Sequence, residues 1–255
     1  LPEVKIEWDD ISFDAIMAKQ AVQMRWTFNI PEMARKVEGV NAGYLVEVGA
    51  RPNTGKTSFH ASMLVGPNGM ARQGANCVVL CNEESYDRVA FRYIQASTGF
   101  PKEKIQANIH EAKRIYQDVT KNVKIKEVSG EDMTWVETMC KIERPDIVVL
   151  DMGDKFASGT YSRQDEQLKA NAIYARQIAK TYECAIFYMS QLNAEAEGRQ
   201  VLNQAMMEGS RTGKAAEADL MLLIGQPAQV EGIDEQSTLR HINVVKNKVT
   251  GWHGM

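Results

Sequence analysis

The chain has 255 residues, 44% hydrophobic and 25% charged, a length that supports a large core without disulfides or a structural metal. Thirty basic against 33 acidic side chains leave a net charge of −3, which excludes a generally cationic nucleic-acid coat but not a local basic groove. The longest apolar runs, residues 220–224 and 147–150, fall far short of the roughly 18 residues that a membrane-spanning helix needs.

The first ten residues carry Glu3, Glu7, Asp9 and Asp10, opposite in charge to the start of a secretory signal, so a cytoplasmic protein is expected. The absence of an initiator Met and the abrupt end at Gly254-Met255 suggest a piece of a longer chain. Residues 10–26 read as a helix, with Ile11, Ala15, Ala18, Val22 and Trp26 at three- and four-residue steps. Residues 1–29 are thus expected to form a linker or docking helix, packed on its own domain or on a neighbouring subunit, and Asn29-Ile30-Pro31 ends it.

From there to residue 255 the pattern alternates strand, loop and helix. Strands are expected at residues 44–48, 77–81, 123–128, 147–150, 185–189, 218–224 and 238–245. Helices are expected at 85–97, with Ser85 as N-cap and Gly99-Phe100-Pro101 as terminator, at 131–142 and at 163–182. The helix starting at Lys56 should be short, because Gly66-Pro67-Asn68-Gly69 interrupts it. Of the four cysteines, Cys77, Cys81 and Cys184 fall in or beside apolar strand-like runs and Cys140 in a helix. They form no metal-ligand spacing and read as small buried hydrophobes. The alternation implies an α/β fold, a mostly parallel twisted sheet with helices on both faces, which gathers its chemistry at the carboxyl ends of the strands.

Four strand ends carry that chemistry. The first is Ala50-Arg51-Pro52-Asn53-Thr54-Gly55-Lys56-Thr57-Ser58, a phosphate loop between a strand and a helix, with Ala50 where Gly is usual. Its backbone N–H groups wrap phosphate, Lys56 reaches the β- and γ-phosphates of ATP, and Thr57 Oγ holds Mg²⁺. The second is Asp151, closing the run 147–150 and expected beside the Lys56 loop as the Mg²⁺ aspartate. The third is Asn82-Glu83-Glu84-Ser85, where one carboxylate polarises the attacking water; Glu83 is favoured over Glu84. The fourth is Ser190-Gln191-Leu192-Asn193, in which Gln191 is suited to sensing the γ-phosphate.

In this order, these features resemble the RecA-like P-loop motor domain of DnaB-type replicative helicases and the phage primase-helicases, over residues 30–251. Gly209-Ser210-Arg211-Thr212-Gly213, followed by Ala218-Asp219-Leu220, is similar to the family's next motif, and Lys246-Asn247-Lys248-Val249-Thr250-Gly251 to its last. The resemblance implies a homo-hexameric, ATP-driven ring that travels 5′ to 3′ on single-stranded DNA, with primase and polymerase as partners. It implies that Lys246 and Lys248 reach into the neighbouring subunit's nucleotide site. Lys248 stands where the family has an arginine finger, and lysine lacks the planar fork of guanidinium. Lys248 as a weaker finger, a contribution from Lys246, or replacement by Arg240 all stay open. Lys155, Arg163, Arg199, Arg211 and Lys214 lie where the DNA loops are expected, and a ring multiplies even a few phosphate contacts. A RecA-type recombinase filament, or a nucleotide-switched ring that does not unwind, shares most of these motifs.

Overall fold

The computed structural model describes residues 12–20, 25–156, 163–208, 213–227 and 239–255. Helix α1 (Phe13–Gln20) lies in the segment expected to be helical. That helix does not continue to Trp26, which instead opens a two-residue strand β1 (Trp26–Thr27). Trp26 is buried to 3% exposure, and β1 pairs antiparallel with β2 (Gly39–Val40) across helix α2 (Pro31–Lys36). Helical spacing misplaced this residue, because its burial comes from tertiary partners and not from its own helix face.

The main body is a seven-stranded sheet. Strand β3 (Leu45–Ala50) leads through the phosphate loop into α3 (Lys56–Val65), which ends at Gly66 as the Gly-Pro-Asn-Gly signal required. Strand β4 (Cys77–Cys81) precedes α4 (Tyr86–Thr98), closed by Gly99 at φ +68°, a left-handed cap that only glycine adopts without strain. Ser85 occupies the N-cap position but accepts no side-chain bond there; Glu127 Oε2 accepts from Tyr86 N instead, at 2.7 Å. Two further helices follow where none was expected, α5 (Lys102–Ala107) and α6 (Ile109–Thr120). Helix α6 buries only Ala112 and Val119 completely, so its apolar stripe is thin.

Strand β5 (Val123–Glu127) and helix α7 (Met133–Glu143) come next, with the Asp132 side chain accepting from Trp135 N at the helix start. Strand β6 (Ile147–Asp151) leads into a short 3₁₀ turn, Gly153–Lys155. Helix α8 (Gln164–Thr181) and strand β7 (Ala185–Gln191) follow. The last elements are α9 (Gly213–Glu217), β8 (Leu220–Gly225) and β9 (His241–Asn247).

The strand order is β5-β4-β6-β7-β3-β8-β9, parallel throughout except for β9, which runs antiparallel to β8. Alternate residues of the continuous apolar strands serve opposite cores. Ile147 and Val149 of β6 join the layer built with α3 and α4, whereas Val148 and Leu150 join the layer built with α7 and α8. All four cysteines are buried, as expected. Asp219 ties the base of β3 to α8: its Oδ2 accepts from Leu45 N at 3.0 Å, and its carboxylate is paired with Arg176. Among the described residues, no helix is long and apolar enough to cross a membrane.

Candidate nucleotide site

The parallel sheet places the carboxyl ends of β3, β4, β6 and β7 along one edge. Within the loop after β3, Asn53 and Gly55 both take left-handed backbone, at φ 61° and 101°. This curls the chain so that Gly55 caps α3 and Lys56 and Thr57 form its first turn. The N-terminal end of α3 therefore points its unpaired N–H groups and positive dipole into the cleft.

Asp151 lies beside Lys56 and Thr57, although its strand β6 is not the immediate neighbour of β3. Strand β7 lies between β3 and β6, and β4 lies one strand further out. Proximity is restored by α3, which crosses the sheet face and brings Lys56, Thr57 and His60 over β6. His60 Nε2 stands 3.8 Å from Asp151 Oδ2, too far for a hydrogen bond, while its Nδ1 is 2.9 Å from the Tyr93 hydroxyl. Burial acts to raise the Asp151 pKa, but the pull of His60, Lys56 and Thr57 outweighs it, and the carboxyl sits below its ordinary range.

Lys56 is 6% exposed. Its Nζ contacts Met152 Sδ at 2.9 Å and Glu83 Oε2 at 3.6 Å. Burial lowers its pKa, and the negative charge of Glu83 opposes that shift. The two carboxylates after β4 are in different states. Glu84 is held by Arg92 at 3.0 and 3.1 Å and accepts from Thr57 Oγ1 at 3.4 Å. Glu83 faces the cleft, with Gln191 Nε2 3.4 Å from its Oε1. Lys56, Thr57, Glu83, Asp151 and Gln191 thus converge. Of these, Lys56, Thr57 and Glu83 line a cleft of about 490 Å³ together with Ser58, Glu84 and, from α4, Arg88 and Arg92.

Both Asp151 oxygens are buried and have no hydrogen-bond partner in the chain. A buried carboxylate of this kind, next to the Thr57 hydroxyl, is an oxygen-only donor set that suits a hard divalent cation. Among the described residues, no group of three or more His, Cys, Asp or Glu side chains could hold a metal by itself, so the remaining ligands of such a cation have to come from phosphate and water. A second cleft of about 630 Å³ adjoins the first, lined by Arg51, Pro52, Asn53, Thr54, Glu197 and Arg240 among others. Arg51 donates to Glu197 at 2.8 Å and to the Leu192 carbonyl at 2.9 Å, fastening the phosphate loop to the segment after β7.

The model of the DnaB-like helicase C-terminal domain matches residues 27–252. The chain belongs to that family. It is therefore a nucleotide-binding, ATP-hydrolysing helicase motor domain of RecA-like fold. Among solved structures, one ATPase domain superposes with a TM-score of 0.78 at 18% identity, covering 96% of this chain and 94% of that one. A DnaB-like replicative helicase, described with its interactions with primase, superposes with a TM-score of 0.74 at 18% identity, over 96% of this chain and 64% of that longer one. At that identity the likeness establishes the fold alone. No curated protein matches the chain.

Other residues expected to act in this DnaB-like domain are dispersed. In β9, Ile242 pairs with Ile224 at the phosphate-loop end of the sheet, whereas Lys246 pairs with Met221 at the other end. Lys246 and Lys248 therefore lie roughly 15 Å along the sheet from their own phosphate loop, about four to five strand residues. Lys246 Nζ caps the carbonyls of Ala215 and Ala216 at the end of α9, and Lys248 is exposed. Burial, and then the neighbouring Lys248 charge, lower the Lys246 pKa. Arg240 donates from Nε to the Thr54 carbonyl of its own phosphate loop at 2.8 Å.

Of the residues expected at DNA, Lys155, Arg163 and Arg199 are exposed. Arg163 is paired with Asp165 at 2.7 Å and lies 3.9 Å from Glu166. Arg211 lies outside the described residues. Lys214 does not fit the expectation: it is fully buried and ion-paired with Asp154, so it presents no charge to a phosphate backbone. Arg92 and His60 join the site although no motif marks them. Arg92 carried one signal: it stands seven residues after Ser85, two helical turns along the face that follows the carboxylates.

Proposed function

We propose that this motor domain works as a closed homo-hexameric ring that couples Mg²⁺-ATP hydrolysis at subunit interfaces to translocation on single-stranded DNA and duplex unwinding. One observation carries the reading. The phosphate-loop residues and Glu83 line a single cleft and Gln191 contacts Glu83 from β7, while the basic pair Lys246 and Lys248 stands at the opposite end of the same sheet. A subunit so divided has a head and a tail that complement each other, the heterologous arrangement that closes into rings.

In the proposed site, the loop from Ala50 to Ser58 cradles the triphosphate and Lys56 neutralises its β- and γ-oxygens. Thr57 and Asp151 hold Mg²⁺, which when bound offsets phosphate charge. Glu83 orients and deprotonates the attacking water, and Gln191 reports on the γ-phosphate through its contact with Glu83. Lys248, supported by Lys246, enters from the next subunit. Lys155, Arg163, Arg199 and Arg211 are the DNA-facing charges, and Lys214 is withdrawn from that set. The exposed stripe of Phe13, Ile16 and Met17 on α1 supports docking of residues 1–29 on a neighbour, with residues 30–255 as the motor. Primase and polymerase partners are proposed from the family, one solved member of which is described with primase.

Subunit mixing tests the trans assignment. Lys56→Ala and Lys248→Ala proteins should each be inactive alone, yet an equal mixture should recover turnover, because about a quarter of random interfaces combine two intact halves. No recovery would refute the trans role. Forked-duplex unwinding and ring images with ATP test the motor reading, and open filaments would favour the recombinase alternative.

A further inference from the structure

A second cluster of ionisable groups lies inside the fold, outside the nucleotide cleft. Lys214, at the first turn of α9, is fully buried, and its Nζ is paired with Asp154. The same ammonium donates to Ser190 Oγ at 3.1 Å and lies 5.8 Å from the centre of the Tyr188 ring. Ser190 donates onward to Glu47 Oε1 at 2.5 Å, and the Tyr188 hydroxyl donates to Asp154 Oδ1 at 3.2 Å. Glu47 is itself fully buried in the middle of β3, and its second oxygen has no partner.

Such a cluster is a poor way to gain stability. Apolar residues of the same volume are commonly neutral or better, because desolvation offsets the attraction between buried charges. Its members, however, come from the segments that carry the nucleotide chemistry. Glu47 is three residues before Ala50 on the phosphate-loop strand, and Ser190 is next to Gln191. Asp154 is three residues after Asp151, and Lys214 opens the helix that leads into β8.

We propose that Glu47, Asp154, Ser190 and Lys214 form a buried latch that sets Gln191 and Asp151 against the phosphate loop, and that turnover depends on its charges. Lys214 is in this account a positioning residue acting through Ser190 and Asp154. The proposal rests on the reading above that Gln191 and Asp151 act in hydrolysis. Desolvation pushes the Glu47 carboxyl up to about 7; Lys214 pulls it down, Asp154 pushes it further up and Ser190 again pulls it down. Asp154 pairs directly with Lys214, whereas Glu47 reaches it through Ser190.

The test uses the intact chain. The triple variant Glu47→Gln, Asp154→Asn, Lys214→Met removes all three ionisable groups yet leaves the pocket filled, so its melting temperature should stay close to the parent's. Its kcat should fall on the order of ten- to a hundredfold through misplacement of Gln191, with KM for ATP and binding of a fluorescent ATP analogue unchanged. Parental kcat in that variant, beside an impaired Gln191→Ala, would overturn the latch alone. Parental turnover in Gln191→Ala would refute the site reading and the latch with it. Should the triple variant not fold, Asp154→Asn decides the matter. There, among the described residues, Glu47 becomes the only carboxylate facing Lys214, with Tyr188 the other titratable neighbour. The kcat should then rise with pH as Glu47 ionises, and a profile parallel to the parent's overturns the proposal.

Discussion

Glu83→Gln separates the two adjacent carboxylates. The substitution preserves shape and hydrogen-bonding reach but removes the proton acceptor. Glu83 has no strong structural tie: its contacts are Gln191 at 3.4 Å and Lys56 at 3.6 Å, and its side chain is 29% exposed. Losing so weak and partly solvated an ion pair should change stability by no more than about 0.5 kcal/mol. Losing a positioned general base should lower kcat by about 10²- to 10⁴-fold, roughly 3 to 5 kcal/mol in the barrier. Glu84→Gln is the control. It weakens the pair with Arg92, whose two side chains are 40% and 24% exposed, so about 0.5 kcal/mol of stability is at stake after solvent screening. Turnover should then stay within about threefold of the parent, since Glu84 is turned to Arg92 and Thr57. Steady-state ATP hydrolysis, with a fluorescent ATP analogue to measure binding separately, reads both variants. A collapse of kcat in Glu84→Gln with Glu83→Gln near parental would reverse the assignment and show that the Arg92 contact is broken when nucleotide binds.

Lys56→Ala should abolish measurable ATP binding while leaving the fold intact, because among the described residues its ammonium makes direct contacts with Met152 sulfur and Glu83 and no others; circular dichroism and equilibrium binding check this. Glu47 should make stability fall as pH rises, since its folded-state pKa of about 7 lies above the ordinary 4.5 and the native state holds the proton longer. That stabilisation is complete below about pH 4.5 and lost through pH 7, about 3 kcal/mol in all; urea melts at pH 5 and pH 8 should show the loss in the parent and not in Glu47→Gln. Asp219→Asn should destabilise by about 3 kcal/mol, leaving the Arg176 charge uncompensated at 18% exposure, as thermal melting would reveal. Lys248→Arg should raise kcat about tenfold or more by restoring a planar fork, and an unchanged rate would remove the residue from the trans site.

The nucleotide chemistry was legible because it is written locally. A tight turn ending in Gly55-Lys56-Thr57 needs backbone and side chains that are adjacent in the chain, and Asp151, Glu83 and Gln191 each end an apolar run whose length declares a strand. In a parallel sheet those ends share an edge, so five residues from four segments could be brought together without knowing the strand order. That order, with β7 between β3 and β6, was not legible, since pairing between distant strands leaves no local period. For the same reason Trp26 was assigned to a helix. Lys214 shows the limit most plainly. A lysine's default is a solvated charge, and only Asp154 and Ser190, contributed by segments 60 and 24 residues away, make its burial tolerable. Periodicity and motif spacing determined the strand ends and the turn proposed to hold nucleotide; the partners of each buried charge, and the distance of Lys248 from its own loop, were decided by packing.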